Sequence, residues 1–546
     1  MMPPRRWLGI ERSELRWVML TTTAVMAVTC LPYLLGYAIA PPGMHFQGLI
    51  YNPDDPNVYL SWMRQASEDH LTFSDLFTTE PHPANLFNVF FLSLGLISRW
   101  LHLPLILAYH LARVVFGWLV LVTIYGLATR VCDTVPARRI AWTLTATAAG
   151  LGWLLSLTGG PQPVDFARGL IMPEAITFLT VLLNPLFCIS LWLILISLLL
   201  LQDSIESGHW EPTIWAGVAL LILSNIHSYD IITVTLILVT WGVVLLVCRG
   251  KRAWKSIVQF AVAGAIAAPA VLHQYLALKA NPVFKARAVV PTLSPPPLDY
   301  ALGFGLPLLL ALPAVWWALR KRREAHLLLL GWTIACAVAV YLPVPFQRKL
   351  AESWQVPICL LAGVTLGYML TAWRNRVIAL ALTALSLIIA PISNLFFLNQ
   401  IGHNLVTNNR DLPYLMSFPY LSDDELAAAS WLERHRSQGA VLCGPWLGNY
   451  LPRLAGARVY LGHFGETSHF SEKLHLLRWF LRADVTNNWR EELLRRAHIA
   501  FVLYGPLEQV MGIGGPRLDF RRSPLLRPVY HRGQITIYHT VLHQPE

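Results

Sequence analysis

The chain has 546 residues, of which 55% are hydrophobic and only 13% charged, with a mean hydropathy of +0.49 and a formal net charge of +11. So small a charged fraction cannot clothe a soluble protein of this length, and most of the apolar residues must face lipid or a lipid-buried bundle. The Lys and Arg residues sit in short clusters between apolar runs, which is the pattern of membrane-edge anchors and argues against a nucleic-acid partner.

The first apolar run, 18–40, follows Arg5, Arg6, Arg12 and Arg16. It is about twenty residues long and ends in Tyr and Pro instead of small residues, so it is expected to be an uncleaved first span. Further runs predict spans at 105–130, 139–158, 175–201, 212–226, 231–248, 256–274, 301–319, 326–344, 353–372 and 377–397, eleven in all. The pair within 212–248 requires a sharp reversal at His227-Ser228-Tyr229-Asp230. Six of the seven cysteines (Cys30, Cys132, Cys188, Cys248, Cys336 and Cys359) lie within or beside these runs, and no CxxC spacing or disulfide framework is present.

Threading the spans from an inner N-terminus places Arg130/Arg138/Arg139, Arg249/Lys251/Arg252/Lys255, Arg320/Lys321/Arg322/Arg323 and Arg374/Arg376 on one, cytoplasmic, side. The expected class is a polytopic α-helical protein of the plasma membrane with about eleven transmembrane helices, N-terminus in and C-terminus out. Residues 1–398 form the transmembrane part, including a first outer loop at 41–104, and 399–546 a small extracytoplasmic α/β domain.

The first outer loop opens with Tyr51-Asn52-Pro53-Asp54-Asp55-Pro56, followed by a helical run. Two adjacent carboxylates at the outer membrane face can take a proton from an acceptor or hold a divalent cation, magnesium or manganese. Asp55 before Pro56 is also a natural helix N-cap, and the roles are compatible. Glu80-Pro81-His82-Pro83 follows, either completing a polar site or making a rigid turn before the amphipathic stretch 86–100, which reads as a helix along the outer interface.

Arg113 falls in the outer half of the second span, where a charge needs a partner or an anion, and a first-loop carboxylate is its expected mate. Asp165, Arg168 and Glu174 belong to the second outer loop. His227 and Asp230, at the reversal, are site candidates or caps of two half-helices. The short outer loop Pro345-Phe346-Gln347-Arg348-Lys349 presents two cations; Arg348 can clamp a lipid phosphate, or both can be interfacial anchors.

Beyond about 400 the composition turns mixed polar. A helical pattern runs from Asp423 to His435 and another over 471–483, with short apolar runs at 440–443, 458–462 and 499–504 that predict strands. The loops after these strands carry Asn449, then His463 and Glu466, then Tyr504-Gly505-Pro506, the places where α/β domains bind ligands.

The acidic motif opening a long first outer loop, the many spans and the outer C-terminal domain resemble the GT-C superfamily of membrane glycosyltransferases, which includes protein mannosyltransferases and oligosaccharyltransferase catalytic subunits. The likeness covers about the first hundred residues by motif and the rest by topology. It implies a polyprenyl-phosphate-linked sugar donor, a glycan, lipid or protein acceptor, Asp55 as base or as acceptor and metal ligand with Asp54 beside it, and a basic residue such as Arg348 on the lipid phosphate. No WWD-type motif stands in the C-terminal domain, so a monosaccharide donor is expected. The competing classes are a transporter or flippase of lipid-linked substrates, with the acids as proton-coupling groups, and a non-catalytic envelope assembly protein.

Overall fold

The apolar runs fold as helices because, away from water, each backbone polar group must be satisfied within its own segment. The computed structural model describes residues 7–157, 172–408, 418–511, 516 and 518–542. Asp165 and Arg168 lie outside the described residues. The chain divides into two compact units: one of 1–31, 110–276 and 291–400, the other of 32–109, 277–290 and 401–546.

Among the described residues, six helices are long and apolar enough to cross a membrane: Arg12–Ala38, Leu105–Val131, Pro185–Ser207, Asp230–Ala280, Gln347–Ala372 and Arg376–Thr407. The pair Pro297–Phe304 and Leu306–Lys321, bent by 94°, makes a seventh if counted as one span. This is fewer than the eleven apolar runs of the sequence. Glu211–Ile226 and Glu324–Ala339 are helical but have only 16 residues each. At 1.5 Å per residue they reach about 24 Å, short of a hydrocarbon core of about 30 Å. The runs 231–248 and 256–274 are joined through a 3-10 turn, Gly250–Ala253.

In the first unit the helices Val135–Thr147 and Gln355–Ala372 pack through Ile140, Leu144, Cys359, Ala362 and Leu366. Thr240 Oγ1, in Asp230–Arg249, donates to the Gly331 carbonyl of Glu324–Ala339 at 2.7 Å, a side chain of one helix bonding the backbone of the next. Basic groups that the sequence clusters at helix ends meet acids: Arg138 with Glu14 at 2.8 Å, Arg130 with Asp203 at 2.6 Å, Arg249 with Glu324 and Arg323 with Asp133.

The second unit is built on two small sheets. Strands β1 (Met44–Phe46) and β2 (Tyr420–Ser422) pair antiparallel. β3 (Ala440–Leu442), β4 (Ile499–Tyr504), β5 (Leu526–Arg532) and β6 (Ile535–Thr540) form a sheet in the order β3-β4-β6-β5, with β3 and β4 parallel and the other pairs antiparallel. Its central strand β4 is apolar along nearly all its length because both faces are covered. Val441, Phe501 and Ile537 pack with Leu432 and Leu451 of the helices Asp423–His435 and Pro445–Ala455. Leu442, Val502 and Tyr538 pack with Leu477 and Leu494 of Phe470–Phe480 and Asn487–Arg496. The run 458–462, expected as a strand, makes a single bridge, Val459 to Val441.

The helix Asp54–Ser67 of the first loop belongs to this same unit and packs on Val89–Trp100 and on Pro445–Ala455. Gly95 permits the first contact: a Cβ there would come within 2.4 Å of the Met63 carbonyl oxygen. Gly448 lets Pro445–Ala455 lie against the segment that follows it, since a Cβ there would meet the Leu461 carbonyl oxygen at 2.0 Å. The amphipathic stretch is the helix Val89–Trp100, and Asn88, which interrupts its apolar pattern, is its N-cap, accepting from the Phe91 amide.

Candidate functional site

The helix Asp54–Ser67 opens two residues earlier than the Asp-Pro pattern suggests. Its N-cap position is Pro53, so Asp54 and Asp55 both stand in the first turn, where carboxylates are favoured by the positive end of the helix. Consecutive helix positions point about 100° apart, and the two acids have different surroundings. Asp54 is buried and accepts a hydrogen bond of 2.6 Å from Asn449 Nδ2. Asp55 has 43% of its side chain exposed, and its Oδ1 lies 3.3 Å from Nε2 of His463, whose side chain is 4% exposed. His463 Nδ1 accepts from the Gly465 and Glu466 amides at 2.9 and 3.0 Å, so the ring proton sits on Nε2, the nitrogen nearer Asp55.

Behind this pair, Glu466 is buried and bound to Arg287 Nε at 2.8 Å, and the Arg287 guanidinium lies over the Trp62 ring. Asp75 Oδ1 accepts from the Phe77 amide at 2.8 Å. Burial first, and then the charge of Glu466, push the Asp75 carboxyl up to about 8, against the opposing pull of the Phe77 amide, Arg287 and His463. It is therefore protonated at neutral pH.

Glu80 and His82 are engaged by the protein. Glu80 Oε2 accepts from Lys473 Nζ at 2.7 Å and from the Thr78 hydroxyl. Burial would raise its pKa, but these hydrogen bonds outweigh it and hold the carboxyl below its ordinary value. Nε2 of His82 accepts from the Asp75 amide at 3.0 Å, and its Nδ1 donates to the Glu80 carbonyl at 2.8 Å, which clamps the turn. Burial pulls the His82 pKa down. Asn281, which caps the helix Pro282–Ala288, donates to Asn85 at 3.0 Å and to the Pro83 carbonyl at 3.1 Å, so the segment that carries Arg287 is tied to the first loop.

Within the first unit a second polar group forms. His227 ends the helix Glu211–Ile226 and Asp230 begins Asp230–Arg249. His227 Nδ1 lies 2.6 Å from Asp230 Oδ2 and 3.4 Å from Glu352 Oε2. Arg348 is 3.9 Å from Glu174, and the Lys349 ammonium is 4.8 Å from the centre of the Tyr229 ring. Thr233 Oγ1 donates to the Leu350 carbonyl at 3.2 Å, joining the reversal to this loop. Arg113 is buried, with hydrogen bonds to the Val181 carbonyl at 2.8 Å and to Thr29 Oγ1 at 3.1 Å.

Of the residues singled out from the sequence, Asp54, Asp55, Glu80, His82, His463 and Glu466 thus share the second unit, and Arg113, Glu174, His227, Asp230, Arg348 and Lys349 the first. Sequence reasoning missed Asp75, Arg287, Lys473 and Glu352. Glu352 carried a signal: an acid inside the apolar run Leu350–Leu361. Among the described residues, the one group of three or more His, Cys, Asp or Glu side chains able to share a metal ion is His227, Asp230 and Glu352, with ligand atoms within 4.8 Å of one another. Asp54 and Asp55, the expected cation ligands, are not in such a group.

No protein-family model and no curated protein matches the chain. Solved structures do. The oligosaccharyltransferase of Archaeoglobus fulgidus matches at 12% identity, covering 89% of this chain and 69% of that one, with a TM-score of 0.56. ArnT from Cupriavidus metallidurans matches at 14% identity over 98% of this chain and 100% of its own, TM-score 0.53. Arabinofuranosyltransferase AftD from Mycobacteria matches at 14% identity over 98% of this chain and 40% of its own, TM-score 0.60. The archaeal protein has been solved with dolichol-phosphate and with zinc and sulfate, and ArnT with undecaprenyl phosphate. All three are GT-C glycosyltransferases, and at these identities what the chain shares with them is the fold.

Proposed function

We propose that this chain, which has the GT-C fold, moves a sugar from a polyprenyl-phosphate carrier to a glycan, lipid or protein acceptor at the outer face of the plasma membrane. In this reading the chain has eleven spans, an inner N-terminus and an extracytoplasmic C-terminal domain. The observation that carries it is the Asp55–His463 pair: a partly exposed carboxylate set 3.3 Å from a buried imidazole. That is what a general base needs, access to a substrate hydroxyl together with a set position.

In the proposed step the acceptor oxygen attacks the anomeric carbon while its proton passes to Asp55. The bond between that carbon and the phosphate oxygen breaks, the electron pair leaves with the lipid phosphate, and the anomeric centre inverts. Arg348 is the basic residue that the resemblance offers for holding the phosphate of the carrier lipid. His463 is a positioning residue that acts through Asp55. The carrier lipids in the solved relatives with this fold, dolichol-phosphate and undecaprenyl phosphate, support a donor of that class.

The test is transfer by the full chain, purified in detergent and supplied with a polyprenyl-phosphate monosaccharide. The Asp54→Asn/Asp55→Asn double variant should lose transfer while still binding the carrier lipid. Transfer at the wild-type rate by that variant would end the proposal.

A further inference from the structure

Two carboxylates with no exposed surface, Asp230 and Glu352, stand beside one imidazole at the reversal between the helices Glu211–Ile226 and Asp230–Arg249. Removing a carboxylate from water costs several kcal/mol unless a counter-charge or hydrogen-bond donors replace it. Among the described residues neither oxygen of Glu352 has a hydrogen-bond partner, and Asp230 Oδ1 has none. The nearest ion-pair contact of Glu352 is His227 Nδ1 at 3.4 Å, so its unsatisfied head is turned into the cluster. Glu174 adds another buried acid to this unit, its Oε2 likewise without a hydrogen bond, and the cation paired with it is Arg348 at 3.9 Å. Three buried acids thus stand near one imidazole and one guanidinium, with carboxyl oxygens left unsatisfied at a place closed to bulk water.

We infer that His227, Asp230 and Glu352 form a binding site for one divalent transition-metal ion, manganese or zinc. Ligands about 2.1 Å from a common ion stand roughly 3 to 3.5 Å apart. The existing separations, 2.6 Å from His227 to Asp230 and 3.4 Å from His227 to Glu352, straddle that range, so small side-chain rotations suffice. An imidazole with two carboxylates selects a first-row metal over magnesium or calcium, which prefer all-oxygen shells. The ion takes the place of the proton now between His227 Nδ1 and Asp230 Oδ2, and three protein ligands leave a coordination position open. The backbone is already arranged for it. Thr233 ties the reversal to the Leu350 carbonyl, and Ser353, in a left-handed conformation with φ of 74°, accepts from Trp332 Nε1 at 3.0 Å on the other side of Glu352.

This site is separate from the proposed base, and its test does not depend on sugar transfer. The full chain in detergent is stripped with a chelator, dialysed and titrated with manganese chloride, with free Mn(II) followed by electron paramagnetic resonance. Zinc content after equilibration is measured by mass spectrometry. The expected result is one ion per chain, with binding weakened at least about tenfold by each of His227→Ala, Asp230→Asn and Glu352→Gln, and unchanged by Asp55→Asn. Manganese should raise the thermal midpoint of the wild type and leave that of a folded Glu352→Gln protein unmoved, and Glu352→Asp should restore part of the affinity. Absence of binding by the wild type, or wild-type affinity in the three ligand variants, would overturn the site. Loss of transfer without loss of metal, or the reverse, separates this inference from the catalytic one.

Discussion

Asp55 Oδ1 and His463 Nε2 face each other at 3.3 Å, and the far edge of the imidazole fixes which of them gives the proton. With Nδ1 accepting from two backbone amides, Nε2 carries the hydrogen on the side of the ring nearer Asp55. His463 owes its own position to the backbone amides of Gly465 and Glu466.

His463→Ala should therefore lower kcat of transfer by about 10- to 100-fold while leaving KM for the carrier lipid within a few-fold, because the base loses its orientation but the lipid site is untouched. Asp55→Asn should cost more, about 100-fold or beyond. Steady-state kinetics of the two variants and their combination check this. The double variant should be no worse than Asp55→Asn alone, since His463 acts through Asp55.

Asn449→Ala leaves the buried Asp54 carboxylate without its 2.6 Å donor. The expected loss of stability is about 1–3 kcal/mol, read as a fall in the denaturation midpoint. Asn449→Asp should be worse, because it sets two carboxylates against each other. Asp54→Asn with Asn449→Ala should cost less than the two single changes added together.

Asp75 gives stability an unusual pH slope. Its pKa in the folded chain is about 8, against about 3.9 when unfolded, so between these values the native state holds a proton that the unfolded state has released. The contribution is complete below about pH 4 and is lost as pH rises through about 8. Glu80 behaves oppositely: its folded pKa is depressed, so its contribution is present above the unfolded value of about 4.3 and is lost on acidification. Thermal midpoints across this range should decline toward the alkaline side in the wild type and flatten there in Asp75→Asn, whereas Lys473→Met should weaken the acid limb.

Arg287→Ala removes the partner of a carboxylate that is 1% exposed. Leaving a buried charge alone costs about 3–5 kcal/mol, and the segment Pro282–Ala288 would lose its tie to Glu466 while keeping the Asn281 bonds to Asn85 and Pro83. Hydrogen exchange over residues 282–290 should rise in Arg287→Ala and return toward wild type when Glu466→Gln is added.

What the sequence could disclose follows from the physics of each feature. Helix runs were legible because apolar stretches between basic clusters leave few alternatives, and the helix Asp423–His435 announced itself through Ser422 and Glu425, which form a capping box. The hairpin β5–β6 was hidden: Leu526–Arg532 is largely exposed, contains Pro528 and has no apolar alternation. Asp54 and Asp55 were recognisable as a motif, but their division into a buried and an exposed acid depends on Asn449 and His463, whose approach is a tertiary event. Asp75 was unreadable for the same reason, since its protonation comes from burial beside Glu466. His227 and Asp230 were visible at a break in an apolar region, whereas Glu352 joins them only through the folding of a distant loop.

The ribbon β1–β2 has a consequence for how the protein is made. His45 and Asp423, hydrogen-bonded at 2.7 Å at its edge, are separated by 378 positions in the chain. At a synthesis rate of about 5–20 residues per second, the first loop waits on the order of 20 to 75 s after its own emergence before its strand partner exists. Throughout that interval Asp54 lacks Asn449 and Asp55 lacks His463, and Met44–Phe46 presents an unpaired edge. A ribosome stalled between residues 100 and 400 would therefore strand the acidic helix Asp54–Ser67 without its partners.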